Sequence, residues 1–452
     1  MQRPTTFSVL VLTACCSLGS RAISQWIDTA TAATYSDSRD GDALLVWSGG
    51  KLVFEHYANG YDKTVPHVLA SGTKSFSGVL AAMAVRDGLL KSLDEKLADV
   101  LPEWRNDANK SRITYRQLLS LSSGIDGGEN GKVPTYVEAI QAPTLAPPGQ
   151  RLSYGPNPFQ IFGEALKRKL VPSRRSVADY IQASILSPLG INVGFWRNFA
   201  NGEPNLPSGA YLLAAEWGKF GDFLRRRGVV GTQRLLDEAL LDECLRVAST
   251  NDDYRLTFWG LSPDEAGPPD VFFAAGAGKQ RLYVLREFGL VVVRFGNTLG
   301  AWSDPDFLAA LLPAYAGVFA DGCAGSRGRA TIQANKAPLL GTSDFALRVT
   351  GALPRAPGVF ILGASRERWL GVPLPIDFGP AGMPSCLLHV SPDIMLGFVA
   401  DASGRATLPA PIGAAARIAG KYVFVQAMLY DAPANAAGYT FADAAVVRIG
   451  AR

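Results

Sequence analysis

Histidine is scarce in this chain of 452 residues, which contains only His56, His67 and His389. The three lack the close pairings that zinc sites use, so a metalloenzyme is disfavoured and no metal ligand is assigned. The sequence also lacks a Gly-x-Ser-x-Gly segment, the turn that presents the serine of many Ser-His-Asp hydrolases. A serine enzyme built on this chain would therefore use a base other than histidine.

Excess charge and long apolar runs are also missing. Lysine and arginine number 44 against 40 acidic residues, without a basic run, so the sequence does not indicate a nucleic-acid partner. Beyond the N-terminus, no apolar stretch reaches the roughly 18–20 residues that a membrane-spanning helix needs. What is present is 48% hydrophobic residues over a length typical of two or three well-cored globular domains.

Residues 1–22 read as an export signal, with Arg3 ahead of a short apolar run. The segment ending at Cys15 resembles a bacterial lipoprotein cleavage box, which implies lipidation of Cys15. An ordinary signal-peptidase site after Ala22 is the alternative. We expect an exported protein that is periplasmic, on the cell surface or extracellular, with a membrane tether if Cys15 is lipidated.

The pattern of apolar residues divides the rest of the chain in two. Strand-like runs at 44–55 and 281–295 enclose helix-rich sequence, and strands at both ends of a domain must join one sheet. We therefore predict an α/β (α+β) sandwich of an antiparallel sheet with helices over residues 23–317. Residues 318–452 have short strand-like runs with regular turn signals, which predicts an all-β sandwich.

Two cysteines lie in the predicted C-terminal domain, Cys323 and Cys386. In an exported protein we expect them to form a disulfide. Two free buried cysteines remain the alternative, because sequence does not show whether the pair has the required geometry.

The tetrapeptide Ser-x-x-Lys occurs at Ser48–Lys51 and at Ser71–Lys74. The first lies in a predicted hairpin turn, where serine and glycine serve the backbone. The second opens a predicted helix, which places Ser71 at the positive end of the helix dipole and Lys74 one turn along the same face. Burial would lower the lysine pKa from its ordinary ~10.4 and let it activate the serine. A serine N-cap followed by an exposed lysine is the structural alternative.

The second motif, Ser71–Lys74, follows a predicted strand hairpin. In this position it resembles the nucleophile motif of the serine β-lactamase and penicillin-binding-protein-like hydrolases, and the resemblance extends over residues 25–315. The resemblance is to the class C branch, which includes esterases, D-amino-acid peptidases and 6-aminohexanoate-oligomer hydrolases. Residues 113–125 are similar to a second family segment, with Leu121 in place of its histidine. The resemblance implies a β-lactamase/transpeptidase-like domain, and the C-terminal region resembles β-modules of secreted bacterial proteins.

Residues 148–157 resemble the family segment that carries a catalytic tyrosine, which implies this role for Tyr154. A phenol between Ser71 and Lys74 would transfer protons once the neighbouring ammonium lowers its pKa. Pro156 takes the place of the family's asparagine, and we assign Asn157, the next residue, to substrate binding.

Residues 274–280 take the position of the family's edge strand. The resemblance implies that the N–H groups of Ser71 and Ala277 form an oxyanion hole, and we assign Gly276 and Gln280 to substrate binding. Ala274 replaces the basic residue that meets the substrate carboxylate in β-lactam binders. This replacement favours neutral or differently charged esters and amides, unless Lys279 compensates.

Four aromatic residues are candidates for pocket walls, although core packing is their commoner role: Trp196, Tyr211, Trp259 and Trp302.

We expect a serine hydrolase that acts through an acyl-enzyme on an ester, amide or peptide-like substrate, without a cofactor. A weak or inactive homologue that binds peptidoglycan-like or acyl ligands is the alternative, since Leu121, Pro156 and Ala274 depart from the family pattern. A surface adhesion protein fits the Ser-Lys-Tyr set less well.

Overall fold

The computed structural model describes residues 27–262, 267–268 and 271–451. The predicted signal and Cys15 lie outside the described residues. The helices are α1 (Thr29–Asp37), α2 (Lys74–Arg86), α3 (Tyr115–Leu119), α4 (Tyr136–Ala139), α5 (Asn157–Leu170), α6 (Val177–Ile181), α7 (Ala214–Arg225), α8 (Glu238–Leu245) and α9 (Asp304–Leu311). Within these ranges, none of the helices is long and apolar enough to cross a membrane.

Strands occur in both halves of the chain. In the first half they are β1 (Gly41–Ser48), β2 (Lys51–Tyr57), β3 (His67–Val68), β4 (Phe195–Trp196), β5 (Ala210–Leu212), β6 (Val229–Val230), β7 (Gln233–Arg234), β8 (Trp259–Gly260), β9 (Val271–Gly276), β10 (Gln280–Leu285) and β11 (Leu290–Gly296).

In the second half the strands are β12 (Tyr315–Ala320), β13 (Ala324–Gly325), β14 (Gly328–Arg329), β15 (Thr331–Ala334), β16 (Ala346–Thr350), β17 (Pro357–Gly363), β18 (Arg368–Trp369), β19 (Val372–Pro373), β20 (Ile376–Asp377), β21 (Leu387–Leu388), β22 (Ile394–Val399), β23 (Ala406–Pro409), β24 (Tyr422–Tyr430), β25 (Tyr439–Phe441) and β26 (Ala444–Arg448).

The first domain is built on an antiparallel sheet with the strand order β2-β1-β11-β10-β9-β8. Strands from the two ends of the domain therefore lie side by side, with Val46 of β1 opposite Val292 of β11. Successive residues of these strands face opposite cores. Val293 joins the core around α2, α5 and α7, whereas Val292 joins the core around α1 and α9. The predicted antiparallel sheet with helices is confirmed.

Helix α2 follows a 3₁₀ turn at Ala70–Thr73 and runs through the centre of the larger core. Its residues from Lys74 to Ala84 are buried. A helix buried on all sides is held by its surroundings as much as by its own hydrogen bonds. The side chains at its first turn therefore have a fixed position relative to the sheet.

The C-terminal region is β-rich, as predicted, and consists mainly of two packed sheets. The larger has the order β12-β26-β24-β17-β22, and the smaller has the order β15-β16-β23. Their shared core includes Leu347, Phe360 and Val425. Strand β12 of the larger sheet begins at Tyr315, and Cys323 and Cys386 form a disulfide within this region.

Replacing both Cys323 and Cys386 by alanine should lower the free energy of unfolding of the C-terminal domain by about 2–4 kcal/mol, because the crosslink restricts the unfolded chain. Denaturant unfolding of the two proteins, followed by near-UV circular dichroism, measures this difference. A reducing agent should shift the unfolding of the wild type but not that of the double variant. Equal denaturation midpoints for the wild type and the double variant, each with and without the reducing agent, would contradict this prediction.

Candidate active site

The Ser71 hydroxyl and the Lys74 amine are joined by a hydrogen bond of 2.8 Å. Ser71 lies in the 3₁₀ turn and Lys74 is the first residue of α2. Ala70, which precedes Ser71, has a φ of +47°, a conformation that non-glycine residues seldom adopt and that is concentrated at functional sites. A strained residue, Ala70, thus comes directly before the serine, whose hydroxyl is bonded to the Lys74 amine.

Lys74 is only 4% exposed, which contradicts the alternative of an exposed lysine after an N-cap serine. Its amine also donates to the Pro207 carbonyl at 3.1 Å and lies 5.0 Å from the centre of the Tyr154 ring. Burial lowers the pKa of Lys74 to about 7, and no charged group in the described chain contributes to this shift. A large share of the lysine is therefore neutral near pH 7 and able to accept the proton of Ser71.

Tyr154 is positioned by the segment that follows α3. The Ser153 N–H donates to the Leu121 carbonyl at 2.9 Å, and the Gly127 N–H donates to Ser153 Oγ at 2.9 Å. Leu121 is fully buried and has a φ of +60°. The residue that departs from the family pattern therefore serves as a backbone anchor for the tyrosine loop.

The Tyr154 phenol is close enough to Ser71 for the serine hydroxyl to favour its ionised form, so the phenol lies near the same oxygen as the lysine. Burial nevertheless raises the pKa of Tyr154 overall, and Ser71 and the charge of Arg281 only partly offset this effect. The expectation that a neighbouring ammonium lowers this pKa is wrong, because Lys74 is itself buried and readily loses its charge. In the resting site Tyr154 therefore keeps its proton, whereas neutral Lys74 is able to accept one.

The end of β9 lies directly against the nucleophile turn. A Cβ atom on Gly276 would lie 2.1 Å from the Leu69 carbonyl oxygen and 3.1 Å from the Gly72 nitrogen, so only glycine allows this approach. Ala277, the next residue, is exposed in the cleft. Ser71 is the second residue of a 3₁₀ turn, where an N–H has no acceptor inside the turn. Ser71 and Ala277, the two residues predicted to supply the oxyanion donors, thus line the same cleft.

Two residues assigned to substrate binding have structural roles instead. The Gln280 amide is 1% exposed, donates to the Ala277 carbonyl at 3.1 Å and accepts from the Gly296 N–H at 3.1 Å. The Asn157 amide donates to the Asp126 carbonyl at 2.9 Å, and Asn157 does not line the cleft. Both assignments are corrected, because side chains that complete backbone hydrogen bonds are not available to a substrate.

The position expected for a basic residue is apolar, since Ala274 is buried in the larger core. The cleft instead has Arg281, which lies opposite Ala275 in the sheet and pairs with Asp304 through contacts of 2.8 and 3.1 Å. Burial alone would raise the pKa of Asp304, but Arg281 and further hydrogen bonds lower it overall. Lys279 also lines the cleft.

The cleft has a volume of about 760 Å³, large enough for a small organic substrate. Ser71, Lys74 and Tyr154 line it together with Gly276 and Ala277. Among the residues that the structure describes, no group of three or more His, Cys, Asp or Glu side chains could hold a metal ion.

Sequence reasoning did not identify Pro207 or Arg281 as parts of this site. Pro207 contributes only its backbone carbonyl, from a segment 133 positions beyond Lys74, and no side-chain pattern signals such a role. Arg281 belongs to an ordinary strand, and its position in the cleft follows from its register opposite Ala275.

Comparison with known proteins shows the family of the first domain. Residues 24–312 match the family model described as Beta-lactamase. No curated protein matches the sequence at a significant level.

Several solved structures are similar in fold. A penicillin-binding protein homolog from Caulobacter crescentus is 17% identical with a TM-score of 0.50, and the match covers 62% of this chain and 95% of that one. EstCE1, a hydrolase with promiscuous acyltransferase activity, is 15% identical with a TM-score of 0.51, covering 65% and 98%. A family VIII carboxylesterase is 16% identical with a TM-score of 0.50, covering 66% and 97%.

The rate at which Ser71 reacts with a fluorophosphonate should rise with pH through about 7 and then level off, because only neutral Lys74 accepts the serine proton. Lys74→Arg should lose roughly 10²–10⁴ of this rate, since a guanidinium stays charged. Intact-mass time courses between about pH 5 and pH 9 measure the rate. A flat pH profile would contradict the role of Lys74 as the base.

Gly276→Ala should slow the same reaction by about 10²-fold, because the added Cβ pushes β9 away from the nucleophile turn and displaces one oxyanion donor. Gly397→Ala is the matched control, since Gly397 also lies in a strand and its Cβ would meet open space. Thermal unfolding separates a local displacement from a loss of folding. A Gly276→Ala rate equal to that of the control would show that the close approach is not needed.

Proposed function

Because the chain belongs to the beta-lactamase family, we propose that it is a serine hydrolase that cleaves an ester or amide bond through an acyl-enzyme. The observation that carries this proposal is the 2.8 Å hydrogen bond between Ser71 and a buried Lys74 whose pKa is about 7. Beta-lactamases, esterases and amidases share this family and fold.

In the acylation step, Ser71 Oγ bonds to the substrate carbonyl carbon while its proton passes to neutral Lys74. The N–H groups of Ser71 and Ala277 donate to the oxyanion that develops. Tyr154 donates its phenolic proton to the leaving oxygen or nitrogen as the bond to the carbonyl carbon breaks. The phenolate then regains a proton from the Lys74 ammonium, whose nitrogen lies 5.0 Å from the centre of its ring.

Deacylation uses the same groups in reverse. Water attacks the acyl carbon, its proton passes to the Tyr154 and Lys74 pair, and Ser71 leaves with a proton returned from that pair. The Tyr154 and Lys74 pair thus takes up one proton and gives one back within each half-reaction, and the proposed reaction needs no cofactor.

A homologue that binds acyl ligands without turning them over is the second candidate. Ala274 supports it, because a buried alanine stands where the family has a basic residue. The intact Ser71, Lys74 and Tyr154 arrangement favours catalysis over this candidate.

A fluorophosphonate should add to the wild type once and release fluoride, and Ser71→Ala should gain no mass, because no other serine is paired with a buried amine of lowered pKa in the described chain. Ser48→Ala is the matched control, since Ser48 belongs to the other Ser-x-x-Lys tetrapeptide and ends β1 in a turn. It should be labelled like the wild type. Failure of the wild type to react would favour the binding homologue.

A further inference from the structure

The cleft has an exposed apolar side chain at its mouth. Leu299 lines the cleft and is 98% exposed, the highest value among the large hydrophobic side chains in the described ranges. Trp259 and Leu261 also line it and are partly exposed. Apolar side chains that stay open to water around a concave site often mark a surface that a ligand covers.

Trp259 lies on the Tyr154 side of the nucleophile. It forms part of β8, opposite Phe273 of β9. The centre of its ring lies 5.8 Å from that of Tyr154 and 4.7 Å from that of Tyr254. A group bound to the exposed part of Trp259 is therefore next to the phenol that donates a proton.

Leu299 follows Thr298, which is bonded to the turn at residues 277–279 that contains Ala277, here called the oxyanion turn. The Thr298 N–H donates to the Gly278 carbonyl at 3.3 Å, and Arg294 binds both Thr298 Oγ1 and the Gly278 carbonyl. These bonds hold the backbone before Leu299 against the turn that contains Ala277.

Charge in the cleft is largely compensated. Arg281 is paired with Asp304, which also accepts hydrogen bonds from Tyr283 and Trp302. Asp253 and Lys279 line the cleft with opposite charges. Together with the buried Ala274, this balance favours a substrate without net charge.

We propose that the substrate is a neutral ester with an apolar leaving group bound by Trp259 and an apolar acyl chain bound by Leu299. This inference rests on the proposed function. The leaving oxygen must lie beside Tyr154, which protonates it, and hence beside Trp259. With the carbonyl oxygen between the N–H groups of Ser71 and Ala277 and the leaving oxygen beside Tyr154, the acyl chain takes the remaining direction from the carbonyl carbon. We assign it to Leu299, which lines the same cleft.

The acyl side is tested with p-nitrophenyl octanoate and p-nitrophenyl acetate, which share a leaving group. The wild type should prefer the octanoate in kcat/KM, and Leu299→Asp should reduce the octanoate-to-acetate ratio at least about tenfold. Leu370→Asp is the matched control, because Leu370 is 86% exposed but lies in the C-terminal domain. It should keep the wild-type ratio. Equal ratios for the two variants would overturn the assignment of Leu299.

The leaving-group side is tested with 1-naphthyl acetate and methyl acetate, which share an acyl group. Trp259→Ala should reduce the naphthyl-to-methyl ratio of kcat/KM by about tenfold, and Trp259→Phe should restore most of it. A ratio that stays unchanged in Trp259→Ala would overturn the role of Trp259.

The mono-p-nitrophenyl ester of glutaric acid tests the opposite idea, an anionic substrate. It should react more slowly than p-nitrophenyl valerate, which has the same chain length without the charge. If the glutarate ester instead reacts faster, and Lys279→Ala removes this advantage, the assignment of a neutral substrate is overturned. If a fluorophosphonate labels Ser71 but the Leu299 and Trp259 variants keep the wild-type kcat/KM ratios, only this inference is rejected. If no adduct forms, the proposed function is rejected.

Discussion

The hydrogen bond between the Lys74 amine and the Ser71 hydroxyl is the interaction on which the site depends. Lys74 is able to accept the serine proton only because the first turn of α2 is buried. The buried amine loses its hydration, and its pKa falls to about 7. A carboxylate beside Lys74 would restore its charge and remove the base. The described chain satisfies the amine with a hydroxyl and a backbone carbonyl instead.

The second constraint is the close approach of backbone segments around Ser71, which buried polar side chains help to maintain. Gly276 lets β9 touch the nucleophile turn, and Leu121 adopts a left-handed conformation to hold the tyrosine loop. Arg294 is fully buried and donates to the carbonyls of Gly278 and Lys279. Burial lowers the pKa of Arg294 to about 10. The turn that contains Ala277 is thus held by hydrogen bonds from inside the domain, while Ala277 itself is exposed in the cleft.

Much of the fold could be predicted because its signals are local. Alternating and continuous apolar runs indicated the strands at both ends of the first domain, and turn spacing indicated the β-rich C-terminal region. Local motifs also led to Ser71, Lys74 and Tyr154. The substrate contacts were harder to predict, because whether Gln280 or Asn157 faces a ligand depends on hydrogen bonds to residues distant in sequence.

By itself, the sequence determined which groups can react: a serine and a lysine one turn apart, a tyrosine in a Pro-Gly loop, and small residues at the end of a strand. Tertiary structure decided their protonation and their access to a ligand. Burial is a property of the whole packed chain, so only the fold shows that the pKa of Lys74 is lowered, that Tyr154 keeps its proton and that Trp259 and Leu299 border the cleft.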